Sequence, residues 1–266
     1  QYITMSGKST RPNIVELGKW RLPITIIISI FSFFVIILPF ITVAITSFTV
    51  NMGKPLTLSN LSLKAWEKVF SRASIISSTT NSFITATAAA FFGILISCVM
   101  AYLLQRTNVK GKRIPDFLIT LGSGTPSVTI ALALIISMSG KFGINIYNTL
   151  TIMVVAYMIK YMLMGMRTVV SAMSQVHPSL EEAAQISGAN WLRMLKDVTL
   201  PLIGASIVAG IFLIFMPSFY ELTMSTLLYS SNTKTIGYEL YIYQTYHSQQ
   251  VASALATAIL LFVILV

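Results

Sequence analysis

The most constraining feature of this sequence is a series of long apolar stretches that contain no charged side chain. They cover residues 22–53, 73–105, 117–140 and 198–220. Each is long enough to cross a bilayer, which takes roughly 20 predominantly apolar residues. Only 10% of the residues are charged, whereas soluble domains carry about a quarter. The sequence therefore predicts an all-α integral membrane protein.

About six transmembrane helices are expected. The predicted spans are 22–48, 75–104, 117–138, 147–166, 202–228 and a last one that begins near 251. Gly122, Gly124 and Pro126 lie in the first half of the third span, where such residues weaken or kink a helix. A broken start is therefore predicted for this span. The transmembrane domain is predicted to cover 22–266, and the polar segment 1–21 is interpreted as a cytoplasmic linker or N-terminal segment.

The basic residues are divided unevenly between the two predicted sides of the membrane. With a cytoplasmic N-terminus, eleven Lys and Arg residues fall inside and six outside, which agrees with the positive-inside rule. The net charge of +10 is explained in this way by topology rather than by nucleic-acid binding. Lys160 falls within the fourth span, and its long side chain is expected to extend towards the cytoplasmic edge.

Two outer loops have recognisable patterns. In the first, Leu63, Trp66, Val69 and Phe70 recur at helical spacing, which predicts a short amphipathic helix at the membrane surface. The second loop, 229–250, is rich in tyrosine, which is typical of an aromatic belt or a packed outer loop.

The polar segment 167–201 is predicted to form a cytoplasmic loop with two short helices. Ser179 and Glu182 have the spacing of a capping box, which starts a helix. Gly188 can adopt positive φ and end that helix, and Asn190 can cap a second one. Pro201 is expected to close the segment before the fifth span. Such a hairpin offers a compact surface to a partner.

The same segment carries a family resemblance. Glu182, Ala183 and Ala184 are followed by Gly188 and, after nine intervening residues, by the run 198–201, which ends in Leu200 and Pro201. This pattern resembles the EAA motif of binding-protein-dependent ABC importer permeases, with Val198 in place of isoleucine. The resemblance implies a coupling helix that docks into a cytoplasmic ATPase subunit. The residues expected to serve ATPase coupling are Glu181, Glu182, Ala183, Ala184, Gly188, Ala189, Leu200 and Pro201.

No nucleotide-binding motif is found in the sequence. Gly7, Lys8 and Ser9 imitate the end of a P-loop, but the glycine required five places earlier is replaced by Tyr2. The chain is therefore expected to be a transport subunit and not an enzyme, with no cofactor of its own. ATP and Mg are expected on two partner ATPase subunits.

A less specific resemblance covers most of the chain. Residues 7–20 and 219–228 are similar to the linker and the second half of fused ferric-iron-type permeases. The resemblance implies iron(III) as substrate, a second permease half, an extracytoplasmic binding protein, and the bacterial cytoplasmic (inner) membrane. Permeases for phosphonate, polyamine, thiamine or sulfate remain alternatives, and an ion-coupled secondary transporter is a rival class.

Three residues are candidates for the translocation pathway. Glu221 follows Pro217 near the outer end of the fifth span, where an ionisable group is costly and a functional role is expected by default. An interfacial carboxylate, exposed to water or hydrogen-bonded to a neighbouring helix, is an equal alternative. Gly124 and Pro126 are candidates because broken helices often border a transport path. No metal site is predicted, since the only histidines, His177 and His247, fall on opposite sides.

Overall fold

The computed structural model describes residues 17–141 and 143–265, so most of the predicted linker 1–21 lies outside the described residues. The described chain is helical, with two isolated β-bridges and no longer strand in these ranges. The helices are α1 (Gly18–Thr46), α2 (Lys64–Ser71), α3 (Ala73–Arg106), α4 (Arg113–Gly124), α5 (Ser127–Met138), α6 (Leu150–Gln175), α7 (Pro178–Ile186), α8 (Trp191–Phe219), α9 (Ser225–Leu228), α10 (Ile236–Tyr246) and α11 (Gln249–Leu265).

Four of these helices, α1, α3, α6 and α8, are long and apolar enough to cross a membrane. The helices α4 and α5 meet at an angle of 111° and add a fifth span only if the bent pair is counted as one. Helix α11 is apolar but has 17 residues within the described chain. The multi-span, all-helical prediction is confirmed, whereas the count of six spans is not.

The core is built from α3, α6 and α8, which pack closely through small residues. A Cβ atom added at Gly165 would lie 2.7 Å from Cδ1 of Ile214 and 3.2 Å from the carbonyl oxygen of Gly210. At Gly210 it would lie 2.7 Å from Cδ1 of Ile94. Glycine at these positions lets neighbouring helix backbones approach, as is common in membrane proteins.

Helix α1 contributes no buried residue to this core. Its C-terminal part contacts α11, and its remaining apolar side chains face outward. A surface of this kind is stable only against lipid or another apolar chain. The first span is therefore a peripheral helix.

Two prolines interrupt the regular hydrogen bonding of long helices without ending them. Pro39 in α1 follows a π-helical stretch at Phe33–Ile37, and Pro201 in α8 follows another at Leu195–Thr199. A proline ring cannot donate to the carbonyl four residues earlier and collides with it. The wider π-helical turn accommodates this defect. The prediction that Pro201 closes the segment before the fifth span is therefore wrong.

The other boundaries also shift. Helix α6 continues nine residues beyond the predicted end of the fourth span at 166, so Arg167 is part of a membrane-length helix. The fifth span ends at Phe219, after which a turn leads to α9. The tyrosine-rich segment 229–250 is not a simple loop, because it contains α10.

The bundle has two ends, which we name after the short helices found there. The α7 end carries α7 and the turn 107–112. The α2 end carries α2, α9 and α10, together with a hairpin in which Thr49 bridges to Leu61. The amphipathic helix predicted at 62–70 is present there as α2.

Candidate functional site

The first helix of the predicted coupling segment, α7, begins two residues earlier than a capping box at Ser179 would place it. Pro178 occupies the first helical position, which suits a residue without an N–H. The cap is His177, whose Nδ1 accepts a hydrogen bond of 3.2 Å from the Ser179 backbone N–H. The predicted capping box of Ser179 and Glu182 is therefore wrong, because the proline moves the cap to His177.

The turn after α7 is formed as the sequence predicts. Gly188 has φ +88°, a value that L side chains rarely adopt. Its N–H donates to the Gln185 carbonyl at 2.9 Å, and the Ala189 N–H donates to the Ala184 carbonyl at 3.0 Å. This pair of bonds is a Schellman motif, which satisfies the last carbonyls of a helix.

The second helix of the segment is also capped as predicted. The Asn190 side-chain oxygen accepts from the Arg193 backbone N–H at 2.8 Å. This helix is not separate, because it runs on through the π-helical stretch as α8. The hairpin is therefore continuous with a helix of the core.

A buried ion pair ties α7 to the core helices. Glu181 is only 6% exposed, and its Oε2 accepts from Nε of Arg106, the last residue of α3, at 2.9 Å. Its Oε1 accepts from Thr199 Oγ1 at 3.0 Å. Arg106 also donates to the carbonyls of Met173 and Val176 at 3.3 and 2.7 Å. We name Arg106, Glu181 and Thr199 the anchor cluster, since they join α7 to α3, α6 and α8.

The opposite face of α7 points away from the bundle. Glu182 and Ala183 are exposed, and Ala184 is half-buried. The adjoining Ile186 is 87% exposed, and Leu192 at the start of α8 is also exposed. We name Glu182, Ala183, Ile186 and Leu192 the docking face. The sequence analysis does not predict that Ile186 and Leu192 face a partner. A large aliphatic residue within a polar segment is the signal that could have indicated it.

The other predicted coupling residues lie around this face. Gly188 is exposed in the turn and Ala189 is half-buried beside it. Leu200 and Pro201 are exposed along α8, two turns or more from Trp191. Glu181 is turned inward, and its predicted part in ATPase coupling stays a prediction.

The break between α4 and α5 is held by a lysine. Thr125 and Pro126 separate the two helices, and Gly124 ends α4. Lys160 Nζ donates to the carbonyl oxygens of Ser123 and Thr125 at 3.0 and 2.8 Å. A cation at a helix C-terminus is favourable, because it satisfies unpaired carbonyls and complements the helix dipole. The expectation that Lys160 extends to the cytoplasmic edge is wrong.

Glu221 lies at the other side of α6. It is 8% exposed, its Oε2 accepts from the Tyr161 hydroxyl, and its Oε1 accepts from the Met224 N–H at 3.0 Å. Glu221 is thus hydrogen-bonded to the neighbouring helix α6 through Tyr161, and its role in the pathway stays a prediction.

The three pathway candidates lie beside two consecutive residues of α6. Lys160 contacts the break that contains Gly124 and Pro126, and the next residue, Tyr161, contacts Glu221.

A polar cleft of about 830 Å³ opens nearer the α7 end, between α6, α7 and α8. Its polar side chains belong to Arg167, Thr168, Ser171, Gln175, His177 and Ser206. Within the described ranges no cluster of three or more His, Cys, Asp or Glu residues could hold a metal ion.

Comparison with solved structures identifies the fold. The chain superposes on a chain from the crystal structure of a bacterial ABC transporter involved in the import of the acidic polysaccharide alginate, with a TM-score of 0.73 and 17% sequence identity. The match covers 92% of this chain and 93% of that one. The fold is thus that of an ABC transporter membrane domain.

Comparison with sequence families gives the particular family. Residues 93–266 match the family described as binding-protein-dependent transport system inner membrane component. Since this covers more than half of the chain, the protein belongs to that family. The resemblance stated from the EAA motif is confirmed.

Individual relatives differ in the substrates that their names give. The ferric transport system permease protein FbpB of Actinobacillus pleuropneumoniae is 26% identical over 239 residues, 88% of this chain. The trehalose/maltose permease MalG of Thermococcus litoralis is 27% identical over 79% of this chain and 77% of its own length. The sulfate permease CysT of Salmonella typhimurium is 27% identical over 62% of both chains. The chain spans 34% to 38% of the length of the ferric permeases it matches.

Proposed function

We propose that this chain is the membrane-spanning subunit, or one half of it, of an ATP-driven importer. The observation that carries the proposal is the α7 hairpin, with an outward docking face on one side and the anchor cluster on the other. A partner bound to the docking face would move α3 and α8 together with the hairpin, because Glu181 joins the hairpin to these two helices. Transport would follow by alternating access between the two sides of the bundle.

The partners in this proposal are two cytoplasmic ATPase subunits that bind ATP and Mg. Ile186 and Leu192 are exposed on the docking face, and large exposed aliphatic residues mark interaction sites when they form a contiguous patch. Small Ala183 beside them allows close approach of a partner backbone. The chain would supply no ATPase chemistry of its own.

The remaining assembly follows the family. A second permease half would complete the pathway, and an extracytoplasmic binding protein would deliver substrate to the α2 end. The location would be the bacterial inner membrane, with α7 in the cytoplasm. The positive-inside distribution of Lys and Arg supports this orientation.

Iron(III) is the proposed substrate. The similarity to ferric permeases extends over most of this chain, and the hydroxyl of Tyr161, the residue after Lys160, contacts Glu221. Glu221, Gly124 and Pro126 remain the proposed pathway residues. Sulfate is the second candidate, because Lys160 places an ammonium group at the helix break and CysT is a relative.

The docking proposal is tested by the variant Ile186→Glu. A carboxylate there would have to be buried against an apolar partner surface, so we expect loss of ATPase copurification and of transport. The matched control is Leu58→Glu, an exposed leucine at the α2 end, which should leave ATPase association intact. Undiminished association in Ile186→Glu would refute the docking face.

The substrate is tested separately by uptake of radioactive iron and sulfate in cells with and without the permease. Iron(III) uptake that requires the permease and ATP supports the ferric assignment. Permease-dependent sulfate uptake instead supports the second candidate. Uptake that survives removal of ATP but not of the ion gradient would contradict the importer class.

A further inference from the structure

The polar cleft near the α7 end runs along one face of α6. Arg167, Ser171 and Gln175 are spaced four residues apart, so their side chains form a stripe on that face. All three are exposed. The opposite face of the same stretch is buried in the core through Met162, Gly165, Met166, Val169 and Met173. Helix α6 is therefore apolar towards the core and polar towards the cleft.

This polar stripe belongs to a helix that is long and apolar enough to cross a membrane. Arg167 lies about 12 Å from the C-terminal end of α6, at 1.5 Å per residue. A guanidinium against hydrocarbon is costly, so charged side chains of membrane helices face protein or a water-filled space. His177 and Leu180 at the α7 end also line the cleft. We therefore expect the cleft to hold water that is continuous with the proposed cytoplasmic side.

Several polar groups of the cleft have no partner within the described residues. Thr168 Oγ1 donates to the Met164 carbonyl of its own helix at 2.9 Å. The side chains of Ser171, Gln175 and Ser206, in contrast, make no hydrogen bond with another described residue. Their hydroxyl and amide groups are available to water or to a solute in the cleft.

The charge in the cleft comes from Arg167. Its Nη2 lies 2.9 Å from Asp116 Oδ1 and donates to Thr120 Oγ1 at 3.0 Å, both in α4. Its Nε and Nη1 have no acceptor in the described part of the chain. The side chains of Arg167 and Asp116 are 48% and 24% exposed, and Asp116 does not line the cleft. The open side of the guanidinium therefore faces the cleft without its counter-charge.

The rest of α6 adds to the positive charge. Lys160 lies seven residues before Arg167, and it has no ion pair among the described residues. No acidic residue occurs between Leu150 and Gln175, and the cleft lining contains none. A cleft lined by one sign of charge attracts the opposite sign and repels its own, because the surrounding protein focuses the field. The cleft is therefore more favourable to anions than to cations.

We propose, on the basis of the importer function above, that this cleft is an anion-selective part of the transport path, in which Arg167 favours substrates with a net negative charge. An oxyanion such as sulfate meets this requirement directly. Iron(III) meets it as a complex whose oxygen ligands outweigh the charge of the metal, since Arg167 would repel the free trivalent cation. The charge of the transported species is thus set at the inner end of the path.

The field in the cleft is tested with charged thiol reagents. Ser171→Cys in a Cys98→Ala background places a thiol one helical turn from Arg167. Inverted membrane vesicles are treated with an anionic and a cationic methanethiosulfonate, and labelling of that peptide is followed by mass spectrometry. Each rate is divided by the rate with a free thiol in solution. We expect the anionic reagent to react faster.

Removing the charge should reverse this preference. One charge at roughly 6 Å in water changes each rate about threefold, in opposite directions for the two reagents. In Arg167→Gln the ratio of the two rates should therefore shift about tenfold towards the cationic reagent. Arg167→Lys keeps the charge and should keep the wild-type ratio.

Two further variants separate the charge from the structure. Asp116→Asn removes the partner of Arg167 and should shift the ratio further towards the anionic reagent. The pair is partly exposed, so its loss should cost little stability. Val99→Cys, at a 68% exposed apolar position of α3, is the accessibility control. It should react with both reagents at least tenfold more slowly than Ser171→Cys.

The substrate class is tested by ATP-driven uptake in cells. Radioactive sulfate and radioactive iron(III) supplied with excess citrate distinguish the two anionic substrates, and a radioactive neutral sugar is the third arm. We expect uptake of one of the two anions to fall about tenfold in Arg167→Gln and to be retained in Arg167→Lys. Permease-dependent uptake of the neutral sugar, or unchanged anion uptake in Arg167→Gln, would overturn the proposal.

The labelling assay does not require transport, so it separates this proposal from the importer function. A rate ratio that is the same in wild type and Arg167→Gln, or a preference for the cationic reagent in wild type, would show that the cleft is not anion-selective. No reaction with either reagent would place the stripe of α6 against lipid or protein, which also contradicts the proposal. An anionic preference without ATP-dependent uptake would leave the cleft in place and refute the importer.

Discussion

The anchor cluster makes the sharpest quantitative prediction. In Glu181→Ala, the Arg106 guanidinium keeps its two carbonyl acceptors but loses its counter-charge. Both side chains of the pair are 9% exposed, so water cannot replace the carboxylate. Breaking a buried pair of this kind costs about 3 to 5 kcal/mol, because an uncompensated charge stays in the interior. We expect Glu181→Ala to lower the free energy of unfolding by that amount.

A double-mutant cycle distinguishes a real pair from two independent contacts. Replacing both Arg106 and Glu181 by methionine removes the two buried charges together, which is often close to neutral. The cycle is completed by the single variants Arg106→Met and Glu181→Met, and the double variant should be no less stable than Glu181→Met alone. Additive losses, measured by thermal unfolding of the purified permease, would refute the reasoning.

An exposed ion pair in the same hairpin is the control for the buried pair of Arg106 and Glu181. Arg193 and Asp197 form an ion pair with 3.4 Å between Nε and Oδ2, and their side chains are 73% and 52% exposed. A surface pair of this kind contributes roughly 0 to 1 kcal/mol. Asp197→Ala should therefore leave stability almost unchanged. In transport assays Glu181→Ala should hydrolyse ATP with reduced uptake, since α7 would lose its link to Arg106 of α3 and Thr199 of α8.

Three further predictions concern other parts of the bundle. Gly165→Leu should prevent stable assembly because its side chain would collide with Ile214, and Ile214→Ala should partly restore folding, as measured by size-exclusion chromatography after detergent extraction. Lys160→Met should leave the carbonyls at the α4–α5 break without a donor, which we expect to lower the melting temperature and to increase hydrogen exchange at the break. Burial raises the pKa of Glu239 in α10, so the wild type should become more stable as the pH falls towards and below that pKa; in Glu239→Gln this part of the pH dependence should be missing from melting curves.

The sequence predicts the architecture well where a pattern extends over many residues. Apolar runs of about 20 residues have few alternatives to a membrane helix, and the break near Pro126 follows from residues that cannot continue one. The roles of Gly188 and Asn190 are predictable for a similar reason. Few residue types adopt a positive φ, and few cap the start of a helix.

The wrong predictions all concern packing that the local sequence does not specify. Pro178 shifted the helix start to His177, and a π-helical turn let Pro201 sit inside α8, because neighbouring turns rearranged around the proline. Lys160 found carbonyl acceptors in a helix that is distant in sequence, which no local pattern contains. Glu181 and Glu182 are adjacent in the sequence, and only the packing of α7 decides which one faces the core.

The most direct test of the central claim is crosslinking from position 186. The described chain has one cysteine, Cys98, which is half-buried in α3, so Ile186→Cys in a Cys98→Ala background gives a single exposed thiol there. We expect this thiol to crosslink to an ATPase subunit in membranes and to resist a membrane-impermeant reagent added to intact cells with a permeable outer envelope. Labelling from outside, or crosslinking only to lipid, would contradict the claim that α7 is the element gripped by the ATPase.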